Sequence, residues 1–327
     1  MRAISYVYRC RMHSRIAVMF AALVLGTGVS TGLAQSSILP DVPEGVAAIS
    51  FLGKRISPPA PSAAAAKNLD AARATHAKDP ANADNVIWLA RRYGYAGQDR
   101  EAIKVLTEGI RLFPQDARLY RHRGHRYISI RELDRAIADL TRAGQLVEGL
   151  PNEVEPDGAP NKFNIPVSTL HHNIWYHLGL AYYLKHDWPN ALSAYDKAFG
   201  AARNGDNLAS ITHWRYSIRR RMGQSHDEAR HVLDAITADT TVLENHNYLK
   251  LDRFYKGEVS LDEMLATAMG NAEVAADASL IQGVANWYFY NGEVAKAYAL
   301  MEHLVAQEKL WGAFGYLASE ADLAARR

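Results

Sequence analysis

Residues 172–200 read HNIWYHLGLAYYLKHDWPNALSAYDKAFG, and their spacing decides the fold. Trp175, Leu178, Gly179 and Tyr182 are followed, across the polar break at Lys185-His186-Asp187, by Ala191, Tyr195 and Ala198. Apolar residues three and four apart mark one face of a helix, and Pro189 suits the first turn of a second one. Small residues at Gly179 and Ala191 let two antiparallel helices approach closely, while the large ones are left to meet a neighbour.

Working outward, the same unit recurs. Pro80 and Pro114 are 34 residues apart, and that offset places Tyr93 opposite Tyr127, Ala102 opposite Ala136, Leu106 opposite Leu140 and Gly109 opposite Ala143. Weaker copies contain Tyr216, Ala229, Leu233 and Ile236, then Tyr248, Leu251, Tyr255 and Leu265, then Val284, Ala285, Tyr288, Ala297 and Met301. Gly97-Gln98-Asp99 and Gly292-Glu293 fall between paired helices, and Ser225 with Glu228 and Ser260 with Glu263 have the spacing of capping boxes. A unit of two short helices cannot bury its apolar face alone, so stacking must supply the core. The pattern W-x2-L-G-x2-Y, A-x3-aromatic, A resembles the tetratricopeptide repeat (TPR) signature. That resemblance implies an all-α, right-handed α-solenoid of about six helix pairs with helical caps.

The resulting organisation has repeats one and two over 83–150 and repeats three to six over 172–306. An N-terminal capping helix is expected over 62–82 and a C-terminal one over 307–327. Residues 35–61 read as a Pro-rich tail or linker. Between the second and third repeats, 151–171 form a Pro-rich insertion loop, which either covers the groove or is a surface excursion.

Residues 1–34 have the three parts of a secretory signal peptide. Arg2, Arg9, Arg11 and Arg15 precede the apolar run Ile16 to Leu25, and a small-residue tail ends at Ala34, the expected cleavage point. An uncleaved anchor is the alternative, but Gly26, Gly28 and Gly32 dilute its second half. Met12 is as sensible a start as Met1. Cleavage removes Cys10, the single Cys, and with it disulfides, thiolate metal sites and Cys nucleophiles. It also turns a formal charge of +2 into a slightly acidic one, because four Arg and no acids are lost. So small a net charge argues against a polyanion binder held by bulk charge. The expected compartment is the bacterial periplasm.

Thirteen His invite a metal or general-base reading. None falls in a metal-ligand motif, and no GxSxG, P-loop, dinucleotide fingerprint or calcium loop occurs. No cofactor and no catalytic residue is expected. The resemblance implies instead that the first helices of successive repeats line a concave groove. Its second, fifth, ninth and twelfth positions carry Arg91, Arg121, His125, Tyr176, Tyr183, Trp214, Arg221, Arg253 and Lys256, among others. Basic residues outnumber acidic ones there, which suits a protein or peptide segment with an anionic or C-terminal carboxylate group. The chaperone-binding clamp of the family is not matched, since its positions hold Arg121, His125, His177, Ile211 and Arg215 and neither Asn is kept. The leading expectation is a non-catalytic protein-binding adaptor that takes no nucleic acid and spans no membrane after cleavage. A small anionic or glycan ligand, or a His-dependent enzyme beneath the insertion, are the rival readings.

Overall fold

In a computed structural model, residues 39–268 and 275–326 are described. The expected signal peptide, residues 1–34, lies outside the described residues. The chain divides into two units, Met1–Asp41 and Val42–Arg327, and the fold is that of the second.

Six antiparallel helix pairs follow a lone helix α1 (Ala63–Lys78). They are α2/α3 (Ala83–Tyr95, Asp99–Leu112), α4/α5 (Ala117–Ser129, Leu133–Leu146) and α6/α7 (Leu170–Leu184, Trp188–Gly200). Next come α8 (Gly205–Arg221) with the short α9 (His226–Ala229), then α10/α11 (His246–Tyr255, Leu261–Ala268), α12/α13 (Ala275–Tyr290, Val294–Val305) and a final α14 (Phe314–Ala325). In the fourth pair the second helix is α-helical for one turn and continues as a 3-10 segment, Arg230–Ala235. The fold is an all-α solenoid.

Local chemistry sets the boundaries. Asn82, Asp116, Thr169, Asn204 and Ser225 each place a side-chain oxygen on a backbone N–H of the first turn they precede, satisfying a donor that the helix leaves open. Ser225 and Glu228 close both halves of a capping box. Within pairs, glycine permits the approach: a Cβ on Gly179 would lie 2.7 Å from the Tyr195 ring, and one on Gly124 would lie 2.6 Å from Leu140. Between pairs, Leu106 and Leu119 sit fully buried with Val86 and Ala102, and Ala143 meets Ile174 across the insertion.

Each turn inside a pair ends in a residue with positive φ. In pairs one, four, five and six it is Gly97, Gly223, Gly257 and Gly292, the residue that reaches this region without strain. In pairs two and three the same place is held by Arg131 (φ 68) and His186 (φ 57). A residue with a Cβ costs roughly 1–2 kcal/mol there, so these two side chains are kept for another reason.

The segment expected as a linker contains a two-stranded antiparallel hairpin, β1 (Ala48–Ile49) and β2 (Arg55–Ile56). It contacts both ends of the array: Arg100 Nε of α3 donates to the Ala47 carbonyl at 2.9 Å, and the Phe51 N–H donates to the Glu320 carboxylate of α14. Among the described residues no helix is long and apolar enough to cross a membrane.

Candidate functional site

The first helices of the pairs carry an unusual share of buried polar groups, including Arg121, His122, Asn173, His177, Asn207 and Ser210. Two parts of the chain outside the repeats account for many of them. One is the insertion. Its ends pair at Val154 and Thr169, and between them it contacts α2, α4, α6, α8 and the residue just before α10. The Arg92 guanidinium donates to the Gly158 carbonyl at 2.8 Å, Asn173 Nδ2 donates to Glu155 at 3.0 Å, and Asn204 and Asn207 both donate to the Val167 carbonyl. Asn161 Nδ2 reaches Glu244 at 2.7 Å, just before α10. The insertion therefore runs over the groove.

Glu155 is the insertion's contribution to the centre. Its carboxylate is buried against the Arg121 guanidinium at 3.1 Å and lies 3.5 Å from His122 Nε2. Arg121 also donates to His122 Nδ1 at 2.8 Å, which leaves the His122 proton on Nε2, facing Glu155.

The second part is α14. It packs on α12 and α13 as a cap does, and it also packs on α6. Glu320 is bound by the Arg131 guanidinium at 2.7 Å and Asp322 by Arg221; His186 Nε2 lies 3.1 Å from Asp322 without a hydrogen bond to it. Of the two non-glycine turn residues, Arg131 thus holds an acid of α14 and His186 stands beside another. Arg221 in turn donates through Nε to Asn286 at 2.6 Å.

Between the insertion and α14 the concave face stays open as three hollows that share His125. One of about 110 Å³ is lined by Arg91, Tyr95, Arg121, His122 and Arg126. Another of about 510 Å³ runs between Pro58–Pro61, Tyr95 and the 309–313 segment. The third is a chamber of about 550 Å³ bounded by α4, α6, α8, α10, α12 and the start of α14. His125 and His177 sit with ring centroids 4.2 Å apart, and Phe314 meets both edge-on. His177 Nδ1 lies on the Asn173 carbonyl, so it carries the proton and Nε2 is left as an acceptor. Burial, reinforced by Arg126 for His125 and by Arg121 for His177, holds both imidazoles well below their ordinary range. Burial brings His172 down to about 4. All three are neutral at pH 7.

Of the residues singled out from sequence, Arg91, Arg121, His125 and Tyr176 lie along these hollows. Tyr183, Trp214 and Arg221 stand behind them: Trp214 and Tyr183 are fully buried, Trp214 Nε1 donating to the Tyr176 hydroxyl at 2.8 Å and Asn286 donating to the Tyr183 hydroxyl at 2.7 Å. They support the wall and present no surface to a ligand. Arg253 and Lys256 border none of the three hollows; Lys256 Nζ donates to the Ile236 carbonyl at 2.8 Å and faces Glu258. Sequence reasoning missed Glu155, Glu320 and Asp322 as partners of the arginines. The one available signal was Arg131 standing opposite Gly97 at the 34-residue offset. Among the described residues no cluster of His, Cys, Asp or Glu is placed to hold a metal ion.

No family model and no curated protein matches the chain. Solved structures align over much of it at low identity. A Podosopora anserina kinesin light chain variant with nearly identical TPR-like repeats is 15% identical, covers 69% of this chain and 94% of its own, and has a TM-score of 0.41. The APC/C hetero-tetramer Cut9-Hcn1 gives 12% identity over 78% of this chain and 46% of that one, with a TM-score of 0.34. The P58(IPK) TPR domain gives 12% over 81% and 87%, with a TM-score of 0.24. The class defined by the chain's own helix pairs is a TPR-like α-solenoid.

Proposed function

We propose that this protein is an exported, non-catalytic adaptor that holds an extended protein segment in the channel through His125. The observation that carries the reading is the clustering of the three hollows around His125, which lines each of them, with the 309–314 segment bordering two. The channel is bordered by Tyr95, 48% exposed, and Arg91, which stacks on Trp88 at 4.5 Å and has no ion pair among the described residues. An aromatic anchor beside an unpaired guanidinium suits a segment that places a carboxylate at that end. The chain's own acids already occupy Arg121 and Arg221, so a broad anionic ligand is disfavoured. Export is supported by the leader pattern of residues 1–34, and the periplasm is the compartment it implies.

The test is affinity capture from an envelope extract, with the native chain beside an Arg91→Glu/Tyr95→Ala variant. A protein retained by the first and lost by the second is expected. An identical set on both baits would remove the channel from the account. Export is checked separately by the intact mass of the envelope form, expected to lack residues 1–34.

A further inference from the structure

We infer that the chamber between His125 and Tyr248 is a binding site for a small, uncharged, polyhydroxylated ligand, a mono- or disaccharide. This rests on the reading of the concave channel as a binding surface, but it assigns a different ligand to the channel's inner end.

The first argument is charge. Near the chamber two guanidiniums are already matched within the chain, Arg121 by Glu155 at 3.1 Å and Arg126 by Asp99 at 2.9 Å, and Glu244 accepts from the Asn161 amide at 2.7 Å. Glu244 is the one carboxylate in the lining. An anion entering would face it and find both guanidiniums taken. A neutral ligand breaks none of these pairs.

The second argument is the hydrogen-bonding groups left over. His177 presents Nε2 as an acceptor because its other nitrogen is spent on the Asn173 carbonyl. His172, 5% exposed, has a buried Nδ1 with no partner. Among the described residues the His125 ring makes ring contacts and no side-chain hydrogen bond, so a neutral imidazole there offers one donor and one acceptor. Hydroxyl groups also donate and accept from one atom, and buried polar groups left unpaired are costly. The apolar face of a sugar ring is matched by Phe314 and the Tyr176 ring, 6.0 Å apart between centroids. A volume of about 550 Å³ falls within the usual range of small-ligand pockets.

The experiment is ligand-observed saturation-transfer NMR on the full chain. The probes are N-acetylglucosamine, galactose, maltose and cellobiose, with glucosamine and galacturonate as the cationic and anionic counterparts, followed by calorimetric titration of the best binder. At least one neutral sugar is expected to bind at least tenfold more tightly than either charged one. His125→Phe, which keeps a ring and removes both nitrogens, is expected to weaken binding tenfold or more. His125→Gln, which restores a donor and an acceptor, is expected to recover most of it, and melting curves verify that both variants are folded. The proposal is overturned if no neutral sugar binds, if a charged probe binds best, or if His125→Phe binds as the native chain does. Because Arg91 and Tyr95 do not line the chamber, the capture experiment can fail while this one succeeds, and the reverse.

Discussion

The clasp between Arg131 and Glu320 gives the sharpest energetic test. Both side chains are almost wholly buried, at 3% and 1% exposure. The Glu320 carboxylate accepts from Arg131 Nε at 3.3 Å and Nη2 at 2.7 Å and also from the Phe51 N–H. Removing one member of a buried pair leaves the other charge desolvated, at a cost of about 3–5 kcal/mol. Glu320→Ala is therefore expected to lose about that much. Arg131→Gly is expected to lose less, because a glycine at φ 68 recovers the roughly 1 kcal/mol of backbone strain. The double variant Arg131→Gly/Glu320→Ala removes both charges and the strain together, and should fall within about 2 kcal/mol of the native chain. The cycle then shows a coupling of about 3 kcal/mol, well above the few tenths typical of independent sites. Urea unfolding followed by circular dichroism and by tryptophan emission measures it. Trp311 is a natural reporter, since Arg131 donates to its carbonyl at 3.0 Å and lies 5.7 Å from its ring. A Glu320→Ala loss under about 1 kcal/mol, or a double variant as unstable as the sum of the singles, would refute the reasoning.

Two further outcomes follow from the packing and burial described above. Gly179→Ala should destabilise by about 1–3 kcal/mol through overpacking against Tyr195, whereas Gly200→Ala, whose Cβ would meet nothing within 4 Å, should be neutral or stabilise by up to about 1 kcal/mol; equal effects in thermal melts would contradict the packing account. His172, brought from 6.5 to about 4 by burial, binds its proton less readily folded than unfolded, so stability is full above pH 6.5 and falls progressively between 6.5 and 4. That loss is about 3 kcal/mol at most, and His172→Gln should flatten the part of the urea-midpoint profile that His172 contributes.

The repeat architecture was legible because it is written locally. The offset of 34 and the small residues Gly179 and Ala191 are nearest-neighbour facts, and the caps Ser225 and Ser260 act within one turn of themselves. The groove was only half legible. Arg121, His125 and Tyr176 could be placed by repeat position, but their surroundings could not, because Glu155 comes from an aperiodic insertion and the Arg131–Glu320 pair is separated by 189 residues. No spacing rule links such residues. Tyr183 and Trp214 occupy inward-facing positions yet are covered, since α14 and α12 fill the space that an open solenoid would leave to solvent. The basic excess on the first helices was read as an invitation to an outside acid. Much of it is answered from within.

A stacked-repeat array behaves mechanically as a spring, whose pitch changes easily because each unit touches only its neighbours. Here the 48–56 hairpin grips α3 at one end and α14 at the other, and α14 is riveted to the turn of the second pair and to the end of α8. A coil with its ends fastened cannot lengthen without first breaking the fastening. Pulled from residues 63 and 305, it should stay stiff until the Glu320 clasp gives way and only then extend unit by unit. The bore of the channel is accordingly set before anything enters it.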